Sequence, residues 1–308
     1  RKRTKPLIPE PFHEVSMSRQ RMMTHSPRTV RRPCKFCPDL DVMRYSAQLS
    51  EEKNAELVHR ADRLSRRAIL NHHFEASEFN WEADAWHDVF GLIREDDTLR
   101  MFDKRPYEFV ETDEHDNVSV KRRIPDATMG LRSYDSLESL DHPCKVDHKN
   151  KKSHESLLKK RLRAQMRDPD SGLIVDGIWG ESNLLFPFAV YEAKKRATTW
   201  EQAENQIQHA CLSYLAMLDD LARDPTDVTR YQSQESDGYQ VFAFTSCGSY
   251  WQVYIAWNCL GYCHMDTIWE GDVRQFTCAA ELIYIMEQVH GYAANQHREF
   301  VINHLEPW

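Results

Sequence analysis

The chain has 308 residues, 41% hydrophobic and 29% charged, which is enough for one large domain or two small ones around a real core. No run of about 18 apolar residues occurs, which excludes a membrane-spanning helix. Lys and Arg total 40 against 48 Asp and Glu, a formal charge of −8, which argues against a uniformly basic nucleic-acid clamp and leaves room for a local basic groove.

Residues 1–45 mix Arg, Pro and Ser without periodicity and predict a basic, extended N-terminal arm. Such an arm suits a nuclear address or phosphate contact, a solvated tail being the plainer reading. Cys34 and Cys37 form a CxxC with no second pair at zinc-ribbon distance, leaving Cys259, Cys263 and His264 as the remote candidates for further ligands. The eight cysteines are too scattered for a disulfide framework, and no secretory signal is recognisable. The expected location is intracellular, nuclear or cytoplasmic.

Residues 46–308 read as one domain. Ser50 followed by Glu51 and Glu52 predicts a helix start, and Leu57, Ala61, Leu64, Ala68 and Ile69 give its apolar stripe. Trp81, Ala85, Val89, Leu92 and Ile93 mark a second helix, with Glu78, Glu82 and His87 along it. Residues 95–120 read as turn and hairpin, and Pro125 places Asp126 where a strand emerges. Residues 133–170 form a charged insertion carrying a basic helix over about 153–166. Residues 172–179 predict a strand or extended turn, and 184–194 a strand.

That last strand carries the chemistry. With a period of two, Phe188, Val190, Glu192 and Lys194 share one face, and Ala189, Tyr191 and Ala193 the other. An acid and an amine ending an apolar strand on one side are costly to bury unless they hold something: a metal ion, a water, a phosphate or each other. Thr198 or Thr199 then caps a long helix to about residue 223, with Ala203, Ile207, Ala210, Cys211, Tyr214, Leu215 and Leu218 inward and Gln202, Gln206 and His209 alongside. Two strands, over 239–245 and 250–257, and a last helix over about 277–294 complete an α/β (α+β) order that suits a central mixed sheet flanked by helices.

Two carboxylates meeting at a strand end make an oxygen-rich pocket suited to Mg²⁺ or Mn²⁺. Asp126 and Glu192 are the candidate pair, with Lys194 to orient an attacking water or steady the developing phosphorane, and Glu82 and Gln206 as possible additions. Asp176 lies closer to Glu192 in sequence and is the alternative to Asp126. The wording Pro125-Asp126 followed by Glu192-Ala193-Lys194 resembles the PD-(D/E)XK nuclease superfamily, and its wider context is similar to nuclease-like domains of uncharacterised fungal proteins. The resemblance spans roughly residues 70–295. It implies a restriction-endonuclease-like core with a four- to five-stranded mixed sheet. It further implies metal binding by Asp126 and Glu192 joined by a helix glutamate, here Glu82, and catalytic assistance from Lys194 and Gln206. The function it implies is metal-dependent phosphodiester hydrolysis of DNA or RNA. A catalytically inactive binding or regulatory module, or the same site reused on a small molecule, are the competing readings.

Overall fold

The computed structural model describes residues 36–112, 117–136, 155–168, 172–194, 200–233, 236, 238–259 and 262–308. The arm up to residue 35, the insertion lysines Lys149, Lys151 and Lys152, and the capping residues Thr198 and Thr199 lie outside the described residues. Residues 36–46 lie against the domain. The Phe36 ring stacks on Tyr292 at 5.0 Å, its carbonyl accepts from Gln240 Nε2 at 2.8 Å, and Asp39 N donates to Gln288 Oε1 at 2.7 Å.

After α1 (Val42–Ser46) comes α2 (Glu51–His73), where the Ser50 hydroxyl accepts from Lys53 N at 3.2 Å and satisfies an orphan first-turn donor. Leu57, Ala61, Leu64 and Ala68 are buried, whereas Ile69, expected in the stripe, is exposed. It lies about 100° round the helix from Ala68, beyond the buried edge. The next helical segment runs as α3 (Glu78–Asp84), a π turn at Ala85–Val89, and α4 (Gly91–Glu95). Its buried residues Trp81, Ala85, Val89 and Ile93 recur every four positions. At 3.6 residues per turn that row would drift sideways, and the wider π turn takes up the drift.

Among the described residues the main sheet has six strands in the order β1 (Leu99–Asp103), β4 (Ala127–Arg132), β5 (Leu184–Lys194), β8 (Gln240–Cys247), β9 (Tyr250–Cys259) and β10 (Tyr262–Asp272). Every neighbouring pair is antiparallel except β5 and β8, which the crossover helix α6 (Trp200–Leu221) joins in parallel. The mixed, helix-flanked sheet matches the expected class. The six strands exceed the expected four to five, and at the edges β1 and β10 one or both faces meet water and apolar patterning is weak. Beside the sheet stand a hairpin of β2 (Tyr107–Thr112) and β3 (Val118–Arg123), the insertion helix α5 (Lys159–Arg167), and a short hairpin of β6 (Arg223–Asp224) and β7 (Asp227–Tyr231). The second hairpin begins where the long helix was expected to end, at about residue 223. Residues 172–183 form an extended turn without a strand.

Strand β5 is buried from end to end of its apolar run. On one face, the Tyr214 hydroxyl of α6 lies 3.2 Å from Thr128 Oγ1. On the other, Tyr191 stacks on Trp251 at 5.2 Å and meets Phe90 at 5.1 Å. The β4–β5 register slips between Met129, opposite Ala189, and Leu131, opposite Leu185. The extra residues bulge at Phe186, whose φ of +42° is left-handed, and at Pro187, which has no N–H for a ladder bond. Phe186 N donates to Val175 O at 2.9 Å, and its carbonyl accepts from the buried His297 Nε2 at 2.9 Å. Gly130 faces this bulge, and a Cβ there would stand 2.7 Å from Leu185 O. The helices α7 (Phe276–Tyr292) and α8 (Arg298–Leu305) flank a second π turn, Ala293–His297, which supplies that histidine.

Candidate active site

Strand pairing assembles the site. Ala127 pairs with Tyr191, so Asp126, one residue earlier, reaches the end of β5 beside Glu192 and Ala193. Its Oδ2 accepts from Ala193 N at 2.8 Å, taking the ladder bond that β4 has stopped providing. Glu192 and Lys194 keep the shared side expected of their spacing, and the Lys194 ammonium bonds Glu192 Oε1 and donates to Ala193 O at 2.9 Å. Ala193 is fully buried, and its carbonyl, a conceivable extra ligand, is thereby engaged. Glu82 arrives from α3, its side chain 4% exposed, on the Asp126 side of the group.

A residue the sequence reading did not select joins them. Lys104, in the turn after β1, donates from Nζ to Asp126 Oδ1 at 2.7 Å and to Glu82 Oε2 and Oε1 at 3.3 and 3.5 Å. Its backbone N donates to Asp126 O at 3.1 Å. Nothing in the local spacing marks it. The signal is three-dimensional, because β1 pairs with β4 and brings the turn opposite Asp126.

The field of the group is acidic and poorly hydrated. Burial, reinforced by the Asp126 charge, pushes the Glu192 carboxyl up from 4.5 to about 7 against the pull of Lys194. Burial and the same Asp126 charge also raise Glu82 despite Lys104. Lys104 loses hydration, but its bonds to Asp126 and Glu82 outweigh that loss and its pKa rises. Among the described residues, Glu192 Oε2 is buried without a hydrogen-bond partner, as is the hydroxyl of Tyr107, a residue that senses the Glu192 charge. Such an orphaned carboxylate oxygen is costly in a closed protein and suits a ligand.

Gln206, on α6, is half-buried with Oε1 unpartnered, and among the described residues no hydrogen bond ties it to Glu82, Asp126, Glu192 or Lys194. Asp176 is fully committed elsewhere. It accepts from Arg105 at 2.8 Å, Asn183 N at 2.9 Å and Leu184 N at 3.1 Å, organising the turn that leads into β5.

The donor set fits a hard divalent cation in kind, through all-oxygen side chains and the orphaned Glu192 Oε2. In arrangement, no three His, Cys, Asp or Glu side chains among the described residues are gathered tightly enough to hold a metal, the remote trio Cys259, Cys263 and His264 included. Between Glu82 and Asp126 the positive charge is the Lys104 ammonium. Compared with known proteins, the chain matches no protein-family model and no curated protein sequence.

Proposed function

We propose that this chain is a metal-dependent phosphodiesterase acting on nucleic acid, with Asp126, Glu192 and Lys194 at its centre. The observation that carries the reading is the buried Glu192 carboxyl, raised to about 7 and holding an unpartnered oxygen, between an acid and a lysine. Glu82, Asp126 and Glu192 would hold Mg²⁺ or Mn²⁺, which lowers the pKa of bound water and offsets charge on a phosphoryl oxygen. In the reaction, water attacks phosphorus, the bond to the leaving oxygen breaks, and the leaving oxygen takes up a proton. Lys194 orients that water and steadies the extra negative charge. With Glu192 held by the ion, the proton the water releases would pass to solvent. The β2–β3 hairpin adds Lys121, Arg122 and Arg123 at its end, with Arg123 over the Phe109 ring at 5.5 Å, a local basic surface on an otherwise acidic chain.

A second reading rests on Lys104. A chain that supplies its own cation between two acids can keep the fold as a binding or regulatory module without hydrolysis. The two separate in one assay. The nuclease reading expects Mg²⁺- or Mn²⁺-dependent cleavage of DNA or RNA that Glu192→Gln or Lys194→Ala abolishes while circular dichroism stays native. Equal cleavage by wild type and both variants removes it.

A further inference from the structure

We infer that Lys104 is a resident, displaceable cation that competes with a divalent metal ion for Glu82 and Asp126. The inference rests on the metal-site reading above and gives it a built-in control. Two observations carry it besides the distances. First, Lys104 has a φ of +46°, a left-handed conformation that costs a non-glycine side chain energy and persists where surrounding structure demands it. Here the demand is visible, since the same residue is tied twice to Asp126, by Nζ at 2.7 Å and by its backbone N at 3.1 Å. Second, the Lys104 side chain is 55% exposed while its partners Glu82 and Asp126 are 4% and 9% exposed. The acids are fixed in the protein, and the ammonium reaches them from the solvent side on a flexible stem that can swing back into water.

The geometry makes the two occupancies exclusive. The ammonium donates to carboxylate oxygens at 2.7–3.5 Å here, whereas Mg²⁺ needs them at about 2.1 Å with near-octahedral surroundings. A divalent ion between the same acids would meet the ammonium at a few ångströms, where like charges in a poorly hydrated site repel strongly. Metal entry therefore requires Lys104 to leave. In the ion's absence Lys104 neutralises part of the acid cluster, which would otherwise repel itself. The lysine lowers the apparent metal affinity by the fraction of molecules in which it occupies the acids.

Mn²⁺ binding followed by electron paramagnetic resonance, independently of any turnover, tests this with Lys104→Gly, Lys104→Arg and Glu192→Gln beside wild type. Glycine keeps the left-handed turn unstrained and removes the charge, and arginine keeps the charge. The expected result is Mn²⁺ binding about tenfold tighter in Lys104→Gly, no tightening in Lys104→Arg, and weakened binding in Glu192→Gln, which locates the ion. Equal or weaker binding in a folded Lys104→Gly, or equal tightening in both Lys104 variants, overturns the competition while leaving the metal site standing. Absence of Mn²⁺ binding in every folded form overturns the metal site and the competition together.

Discussion

Glu192→Gln should stabilise the protein at neutral and alkaline pH, because the site holds a charge the fold resists. The carboxyl titrates at about 7 in the folded chain against an ordinary 4.5. Between those values the folded protein keeps a proton that the unfolded chain has released, so stability falls as pH rises from 4.5 to 7. Raising a carboxyl that far costs about 3 kcal/mol, the attraction of Lys194 being included in the balance. Glutamine has the shape of the protonated acid and avoids the cost. His297 works in the opposite sense. Burial lowers it from 6.5 to about 4, so it stays neutral in the fold and stability is lost as pH falls through that window. In wild type the two slopes offset each other between about pH 4.5 and 6.5. Urea denaturation followed by tryptophan fluorescence at pH 5, 6, 7 and 8 reads the outcome. Glu192→Gln should exceed wild type by about 3 kcal/mol at pH 8, roughly 5–10 °C in Tm, converge with it near pH 5, and rise with pH where wild type is flat. A variant that tracks wild type at all four pH values, or is less stable at pH 8, refutes the reasoning.

Gly130→Ala should cost about 2 kcal/mol, because the new Cβ meets Leu185 O at 2.7 Å and backbone cannot rotate away; an unchanged denaturation midpoint would contradict the bulge geometry. Tyr107→Phe removes a buried hydroxyl without a partner and should leave stability unchanged or raise it by about 1 kcal/mol, a loss of that size in thermal melts counting against it. Asp176→Ala leaves Arg105 with Glu181 alone and frees three backbone donors at once, so a loss of about 3 kcal/mol is expected in equilibrium unfolding, and a near-neutral effect would mean that the turn does not depend on it.

The site was legible where its chemistry lies along one strand. A period of two places Glu192 and Lys194 together, and β5 is a strand because its Phe, Val and Tyr residues suit a sheet buried on both faces. The Ser50 cap and the inward row of α6 follow equally from local pattern. What depends on pairing between distant segments was not legible. Lys104 is an ordinary turn lysine until β1 lies against β4, 22 positions from Asp126 in sequence. Asp176 reads as a plausible ligand until Arg105, 71 residues away, and the N–H groups of 183 and 184 claim its oxygens. Ile69 shows the limit within a helix, where one step round the axis separates the core from water. Gln206 keeps the inward-leaning helix position its spacing gives, without a bond that joins it to the acids.

Crystals soaked in Mn²⁺ and measured for anomalous scattering address the central proposal most directly. A peak within bonding distance of the Glu82, Asp126 and Glu192 carboxylates, with the Lys104 ammonium moved away, is the expected result. Density that keeps the ammonium between Glu82 and Asp126 at saturating Mn²⁺, with no peak beside Glu192, would contradict it.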